Sequence, residues 1–384
     1  MEMNERMTAP IAPVAAVAGQ SLNTLTVNSI PETVEDIKNF DERASQEEIL
    51  QEMRNAANPS YLKTLSMADL FDKTFIRNPP IIDGLLYPGA YIFAGAPKLG
   101  KSFLMTQLAY HVSTGTPLWG IPVRQGTVLY MALEDEYSRL QDRLYRMFGV
   151  KEAENLRLAV AAHSINQGLF DQLNYFMSEY RDTSLIIIDT LQKVREVCGD
   201  TYSYGRDYQT ISWLKGFADH FGICLMLVHH TRKQPADDSF DMVSGTNGLT
   251  GCADGTFLLN KKKRTDKTAV LEITGRDVPD QKLHLIRNEE TLCWDLVRRD
   301  TDLWKAPPEP ILEKIAQMIT PEHPEWAGSP TELQALLGVD IQPNALSQKL
   351  NVNATRLFEE HKIRYWNKRT HAGRKIALRL EVPA

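Results

Sequence analysis

Gly95-Ala96-Pro97-Lys98-Leu99-Gly100-Lys101-Ser102 decides how this chain is read. The octet fits G-x-x-x-x-G-K-[ST], a loop whose backbone N–H groups curl around phosphate oxygens. Glycine at 95 and 100 admits backbone angles closed to other residues. Ahead of the loop, Ala90 to Ala94 is short, apolar and aromatic, which predicts a buried strand. Behind it, Phe103 to Val112 carries apolar residues at helical spacing. That strand, loop and helix is the context the motif requires, and the helix adds its positive end at the same point. Gly95, Ala96, Pro97, Lys98, Leu99, Gly100, Lys101, Ser102 and Phe103 are therefore expected to bind the phosphates of ATP. Lys101 would reach the β- and γ-phosphates, and the Ser102 hydroxyl would hold Mg²⁺.

Working outward, residues 79–288 alternate apolar runs with helical segments, the pattern of a mostly parallel α/β sheet. Strands are expected at Thr127–Leu133, Leu156–Ala161, Ser184–Asp189 and Ile223–Val228, with helices at Asp135–Phe148, Leu169–Tyr180 and Tyr208–Phe221. Gly255–Leu259 and Ala269–Ile273 are later strands, antiparallel across the charged turn Lys261–Lys267. In open sheets of this kind ligands gather at the carboxyl ends of strands. The loop at Gly95, Glu134, Asp189 and the pair His229-His230 all fall there.

Composition narrows the classes. In 384 residues, 43% are hydrophobic and 24% charged, as in globular proteins, with room for one large and one small domain. No apolar run is long enough to span a bilayer, so no membrane partner is expected. The apolar stretch Ala9–Ala18 is interrupted by Pro10 and Pro13 and makes a poor signal peptide. Cys198, Cys224, Cys252 and Cys293 show no C-x-x-C spacing, which argues against a zinc site or disulfide framework and for a reducing cytoplasm.

The net charge of −6 conceals an asymmetry: residues 1–60 carry ten acids and four bases, residues 343–381 nine Lys/Arg and three Glu. A basic end on an acidic chain predicts a local contact with a polyanion. Residues 1–60 read as an acidic, largely disordered arm with a short helix from Ser45, where Glu48 completes a capping-box spacing. Tyr61–Phe75 has helical spacing and is a candidate linker helix for a neighbouring subunit. The domain reading is an ATPase domain over 61–300, a Pro-rich linker over 301–310 and a small domain over 311–384. The last holds helical segments at Ile311–Ile319, Pro330–Leu337 and Asn344–His361, then β-like runs at Ile363–Trp366 and Ile376–Leu380. Three helices and a basic hairpin predict a winged-helix-like fold.

Among candidate chemical groups, Asp189 ends the most apolar strand and is placed to hold Mg²⁺. Glu134 is the candidate to orient the attacking water, with Asp135 and Glu136 as acidic neighbours favoured by a helix N-terminus in their own right. His229 and His230 could sense the γ-phosphate. For nucleic acid, Lys193, Arg195 and Arg206 lie in the loop 192–209 with Tyr202, Tyr204 and Tyr208 as stacking partners. The loop 232–251 is less inviting because it carries Asp237, Asp238 and Asp241. Lys368, Arg369, Arg374 and Lys375 flank the C-terminal turn, with Tyr365 and Trp366 nearby.

Taken together, Gly95–Ser102, Ala132-Leu133-Glu134-Asp135, Leu185–Asp189 and Val228-His229-His230-Thr231 resemble a RecA-like P-loop ATPase. More narrowly they are similar to the RepA branch of hexameric replicative helicases, found in mobile elements and phages. The resemblance spans about residues 79–290. It implies a ring, usually a hexamer, with ATP between subunits, moving on single-stranded DNA. It implies Lys101 and Ser102 on phosphate and Mg²⁺, Glu134 as the catalytic carboxylate, Asp189 as the Walker B acid and His230 as the sensor. It also implies an arginine supplied by the next subunit. Arg276 follows a late strand where such an arginine belongs, although Thr274 stands where related helicases carry lysine; Arg264 is its competitor. Two other readings stay open: a recombination or DNA-maintenance motor without unwinding, and an ATP-gated DNA-binding regulator.

Overall fold

The computed structural model describes residues 51–75 (save 52 and 56), 78–195, 204–231, 239–243, 247–300 (save 264), 307–370 and 373–381. Residues 1–50 of the N-terminal arm, with the Ser45 cap, and Tyr202, Asp237, Asp238 and Arg264 lie outside the described residues. The chain forms two compact units, residues 77–307 and a second unit made of the segment up to Ile76 together with Pro308–Ala384.

In the second unit, helical residues at 51, 53–55 and 57 precede α1 (Met67–Asp72). The larger unit is built on a nine-stranded sheet ordered β3-β2-β4-β5-β1-β6-β7-β8-β9. Its strands are β1 (Gly89–Gly95), β2 (Thr127–Ala132), β3 (Leu156–Ala159), β4 (Thr183–Asp189), β5 (Cys224–His230), β6 (Gly255–Asn260), β7 (Thr268–Gly275), β8 (Gln281–Arg287) and β9 (Trp294–Asp300). The neighbours from β3 to β6 are all parallel, and β6 to β9 are antiparallel. The helices are α2 (Lys101–Thr114), α3 (Tyr137–Phe148), α4 (Leu169–Glu179), α5 (Leu191–Val194), α6 (Tyr204–Phe221) and α7 (Asn247–Cys252).

Alternation along the strands sends side chains to both faces, and both faces are covered. Tyr91 and Phe93 of β1 join Leu104, Met105 and Leu108 of α2 in one core layer. Ile92 and Ala94 join Leu173 of α4 and Ile211 and Leu214 of α6 in the other. Central strands buried end to end explain the unbroken apolar runs in the sequence: every residue of β1, β2 and β4 is buried.

The sequence reading did not include β8 and β9. In β8 alternate residues are buried and in β9 only Trp294 is, so charged residues such as Lys282, Arg298 and Arg299 interrupt the apolar signal. The hairpin nevertheless supports the phosphate loop. Trp294, fully buried, sends its indole N–H to the Gly100 carbonyl at 3.3 Å. Gln107 of α2 clasps the Trp294 backbone, accepting from its N–H at 2.7 Å and donating to its carbonyl at 2.9 Å.

In the smaller unit, α8 (Pro310–Met318), β10 (Glu325–Gly328), α9 (Pro330–Leu337), α10 (Pro343–Val352), α11 (Ala354–His361), β11 (Ile363–Thr370) and β12 (Gly373–Leu380) follow in order. The strands form an antiparallel sheet ordered β10-β12-β11. Leu312, Ile315, Leu333, Leu346, Leu350, Leu357 and Leu378 fill its core. The third helical segment read from the sequence breaks at Asn353, which leaves α10 and α11 as separate helices. The strand β10 is four residues long and mostly unburied, too short for periodicity to reveal.

The helix expected over Tyr61–Phe75 is confined to Met67–Asp72. Ser66 caps it by accepting from the Asp69 N–H, and Lys73 ends it in an extended conformation. Leu62 and Leu65 are exposed, so the apolar spacing before Ser66 has no packed face to stabilise a helix. Residues up to Ile76 group with 308–384, whereas the sequence reading began the ATPase domain at 61.

Candidate active site

The turn after β1 brings backbone groups inward because Lys98 (φ 66°) and Gly100 (φ 97°) are both left-handed. Gly100 has no room for a side chain: a Cβ would approach the Trp294 ring to 3.1 Å, and at Gly95 one would lie 2.8 Å from the Leu259 carbonyl. Lys101 begins α2 almost wholly buried. Its ammonium donates to the carbonyls of Gly95 (2.8 Å) and Ala96 (3.2 Å) and lies 3.2 Å from His230 Nδ1. Burial lowers its pKa to about 8, partly opposed by the charges of Asp189 and Glu134.

Three strands deliver the partners. The register pairs Gly95 with His230, and Ala132 with Asp189, so the ends of β1, β5, β4 and β2 fall together. A cavity of about 570 Å³ opens there, lined by Lys98, Lys101, Ser102, Glu134, Arg143, Asp189, Thr190, His230 and Arg287 among others. Asp189 is buried and hydrogen-bonded to Ser102, and it accepts from the Tyr130 hydroxyl at 3.0 Å. Burial raises its pKa against the pull of those bonds. His230 is held below its usual value by burial and by the neighbouring Lys101. The Asp189–Thr190 peptide bond is cis.

Three consecutive acids separate by their partners. Asp135 binds Arg143 at 2.5 Å, both largely buried, and Glu136 pairs with Arg139 on the surface. Glu134 lines the cavity, where the Thr190 hydroxyl donates to it at 3.1 Å.

Arg143, Thr190 and Arg287, which line the cavity, had no sequence signal that singled them out. Phe103 lies between two guanidinium groups, with Arg287 4.2 Å and Arg143 5.0 Å from the ring centre. Arg143 Nη1 and Arg287 Nε are buried without a hydrogen-bond partner. Desolvation lowers the pKa of Arg287. A pocket that leaves buried cationic N–H groups unpaired is built for anionic oxygens. Ser102 and Asp189 form a hard-oxygen donor set of the kind magnesium takes. Both features fit a nucleotide phosphate with its metal. Tyr130 and Thr190 read simply as strand-interior and strand-end residues. The alternating run Gln281–Arg287 could have suggested a strand, yet nothing local ties its last residue to the phosphate loop.

The remaining site residues lie elsewhere. Arg276 is at the opposite end of the sheet, since Gly95 pairs with Leu259 while Tyr91 pairs with Gly255 and Gly255 with Gly275. It borders a separate cavity of about 460 Å³ and is exposed, 3.6 Å from Asp254. Lys193 and Arg206 are exposed. Arg195 is buried in an ion pair with Asp207 at 2.6 Å, which corrects its reading as a loop residue open to DNA. Of the C-terminal group, Arg374 is held by Asp72 at 2.9 Å, and Lys368, Arg369 and Lys375 lie on the same hairpin.

Residues 56–236 match the family model described as an AAA domain. The turn after β1 and the acid ending β4 lie within the matched residues.

The larger unit is a mixed α/β fold of RecA-like type, a mostly parallel sheet with a phosphate-loop turn after β1.

Among solved structures, it resembles one described as an "ATPase Domain" at 15% identity and a TM-score of 0.46, over 67% of this chain and 100% of that one. It also resembles "The Structure Of A DnaB-Like Replicative Helicase And Its Interactions With Primase" at 16% identity and 0.48, over 67% and 73%. Likeness at this level sets no residue equivalence. No curated protein matches the chain. Among the described residues no helix is long and apolar enough to cross a membrane, and no cluster of three metal-ligating side chains occurs.

Proposed function

We propose that this chain is an ATP-hydrolysing ring motor acting on DNA, a hexameric replicative helicase of the RepA branch. The reading rests chiefly on one observation: Lys101, Ser102, Glu134, Asp189 and His230, far apart in sequence, line or border one cavity at the strand ends. Lys98, Lys101, Arg143 and Arg287 give that cavity four cations against two carboxylates, a balance suited to a triphosphate. Ser102 and Asp189 would hold Mg²⁺, whose charge offsets that of the phosphates. Glu134, not committed to an arginine as Asp135 is, orients the attacking water. Lys101 leaves the carbonyls of Gly95 and Ala96 for the phosphates, and His230 reads the terminal phosphate beside it.

Arg276 supports the ring. It lies outside its own subunit's pocket and is exposed, so it can serve only a neighbour's ATP. Lys193 and Arg206 provide channel contacts to single-stranded DNA. Residues 308–384 form a winged-helix-like domain in which α9 and α10 are a helix-turn-helix pair and the β11–β12 hairpin is the wing.

The test pairs ATPase rates, with and without single-stranded DNA, with mass by light scattering and unwinding of a forked duplex. DNA-stimulated turnover by a hexamer that unwinds the fork is expected; stimulated turnover without unwinding would favour a maintenance motor. Arg276→Ala and Lys101→Ala, each inactive, should regain part of the ATPase when mixed. Full activity of Arg276→Ala alone would remove it from the mechanism.

A further inference from the structure

The helix α10 presents Asn344, Gln348 and Asn351 at intervals of four and three residues, a stripe along one side. Asparagine, glutamine and arginine are the side chains that hydrogen-bond base edges and phosphates. Here residues Phe71–Thr74 lie against the stripe. Its innermost member, Asn351, is buried and also accepts at Oδ1 from the Tyr365 hydroxyl at 2.9 Å and from Asn367 Nδ2 at 2.8 Å. The Phe71 carbonyl accepts from Asn351 Nδ2 at 2.8 Å, and the Thr74 hydroxyl donates to Asn351 Oδ1 at 3.1 Å. The Asp72 carboxylate accepts from Gln348 at 3.4 Å and pairs with Arg374 at 2.9 Å, and Arg374 also reaches Asn344 at 3.4 Å.

The hairpin beside it has an unusual charge arrangement. Across β11 and β12, Lys368 faces Lys375 and Arg369 faces Arg374. Like charges opposite one another destabilise a strand pair unless an anion lies against them. Asp72 is such an anion: Arg374, with a further contribution from Arg369, holds its carboxyl below the ordinary range. Arg374 is consequently mostly buried although it stands on a hairpin that is otherwise half open.

We infer that residues 66–75 cover the duplex-facing surface of the C-terminal unit, with Asp72 held where a DNA phosphate would sit. The surface takes duplex DNA only when this segment lifts away, so the segment that precedes the ATPase core is an internal competitor of that DNA. The inference rests on the proposed winged-helix reading, and its test separates the two.

The experiment measures anisotropy of a labelled 20-base-pair mixed-sequence duplex with the full-length protein, without nucleotide, over a series of salt concentrations. Asp72→Ala should bind about fivefold more tightly than the unaltered protein. Its plot of log affinity against log salt should be steeper by about 0.9, one extra phosphate contact. Asp72→Ala/Arg374→Ala should lose both gains. Glu322→Gln, which removes one acid elsewhere in the same unit, should change affinity less than twofold. Equal binding by Asp72→Ala and the unaltered protein, an equal gain from Glu322→Gln, or a gain that survives loss of Arg374 would overturn the competition. Absence of duplex binding in every form would overturn the winged-helix reading itself, and the competition with it.

Discussion

The strand-end cavity of the core and the hairpin of the C-terminal unit are both rich in Lys and Arg, yet they use that charge in opposite ways. In the cavity, Arg143 and Arg287 each keep a buried nitrogen without a partner, and Lys101 donates to the backbone carbonyls of Gly95 and Ala96. On the C-terminal unit the cations are largely spoken for: Arg364 pairs with Glu381, Arg379 with Glu325, Arg356 with Glu360 and Arg374 with Asp72. A basic stretch in a sequence therefore counts charges without saying which are available. Availability is set by neighbours that folding brings from afar, Asp72 being some three hundred residues from Arg374.

The contrast can be broken or sharpened by substitution. The largest effect is expected from Glu134→Gln, which should lower ATP turnover by about 10²–10⁴-fold while nucleotide binding persists. Steady-state rates and fluorescent-nucleotide titration check the two halves, and turnover near normal would assign the water to another group. Next comes Arg195→Ala, which removes the buried ion pair with Asp207 and should lower stability in chemical denaturation. A variant of unchanged stability that had lost only DNA affinity would restore Arg195 as a DNA contact.

Lys101→Met should abolish hydrolysis and yet stabilise the nucleotide-free protein. Burial lowers the lysine's pKa from 10.5 to about 8, so the folded state gives up a proton that the unfolded chain keeps. The charged, buried lysine therefore costs stability in full below pH 8, and the cost falls away as pH rises from 8 to 10.5. At pH 7 the variant should gain on the order of 2 kcal/mol, seen as a Tm several degrees higher. The gain should shrink through pH 8–10.5, and a constant or negative difference would contradict the buried-charge account. The smallest effect is expected at Lys375→Ala, which should reduce the salt dependence of duplex binding by about 0.9 with no change in ATPase.

Most of the core was legible because its strands are buried on both faces and its loop obeys a strict pattern. The runs Ala90–Ala94, Thr127–Leu133 and Ser184–Asp189 lie within a residue or two of β1, β2 and β4. The elements that escaped are those whose partners are distant. The β8–β9 hairpin carries charge on its open face, and its part in the site depends on Trp294 reaching Gly100. Of the acids Glu134, Asp135 and Glu136, only side-chain partners tell them apart, Arg143 and Arg139 being those of the second and third. The helix over Tyr61–Phe75 shortened because spacing shows that a face could be buried without showing what buries it.

The central claim is that a magnesium-bound triphosphate occupies the cavity between the loop at 95–103 and the carboxylates of Glu134 and Asp189. Calorimetric titration of the full-length protein with ATP, with and without magnesium, tests it directly when repeated on Lys101→Ala. One site per chain, tighter with magnesium and weakened at least tenfold by the substitution, is the result expected here. Absence of binding to the unaltered protein, or equal affinity in the variant, would contradict it.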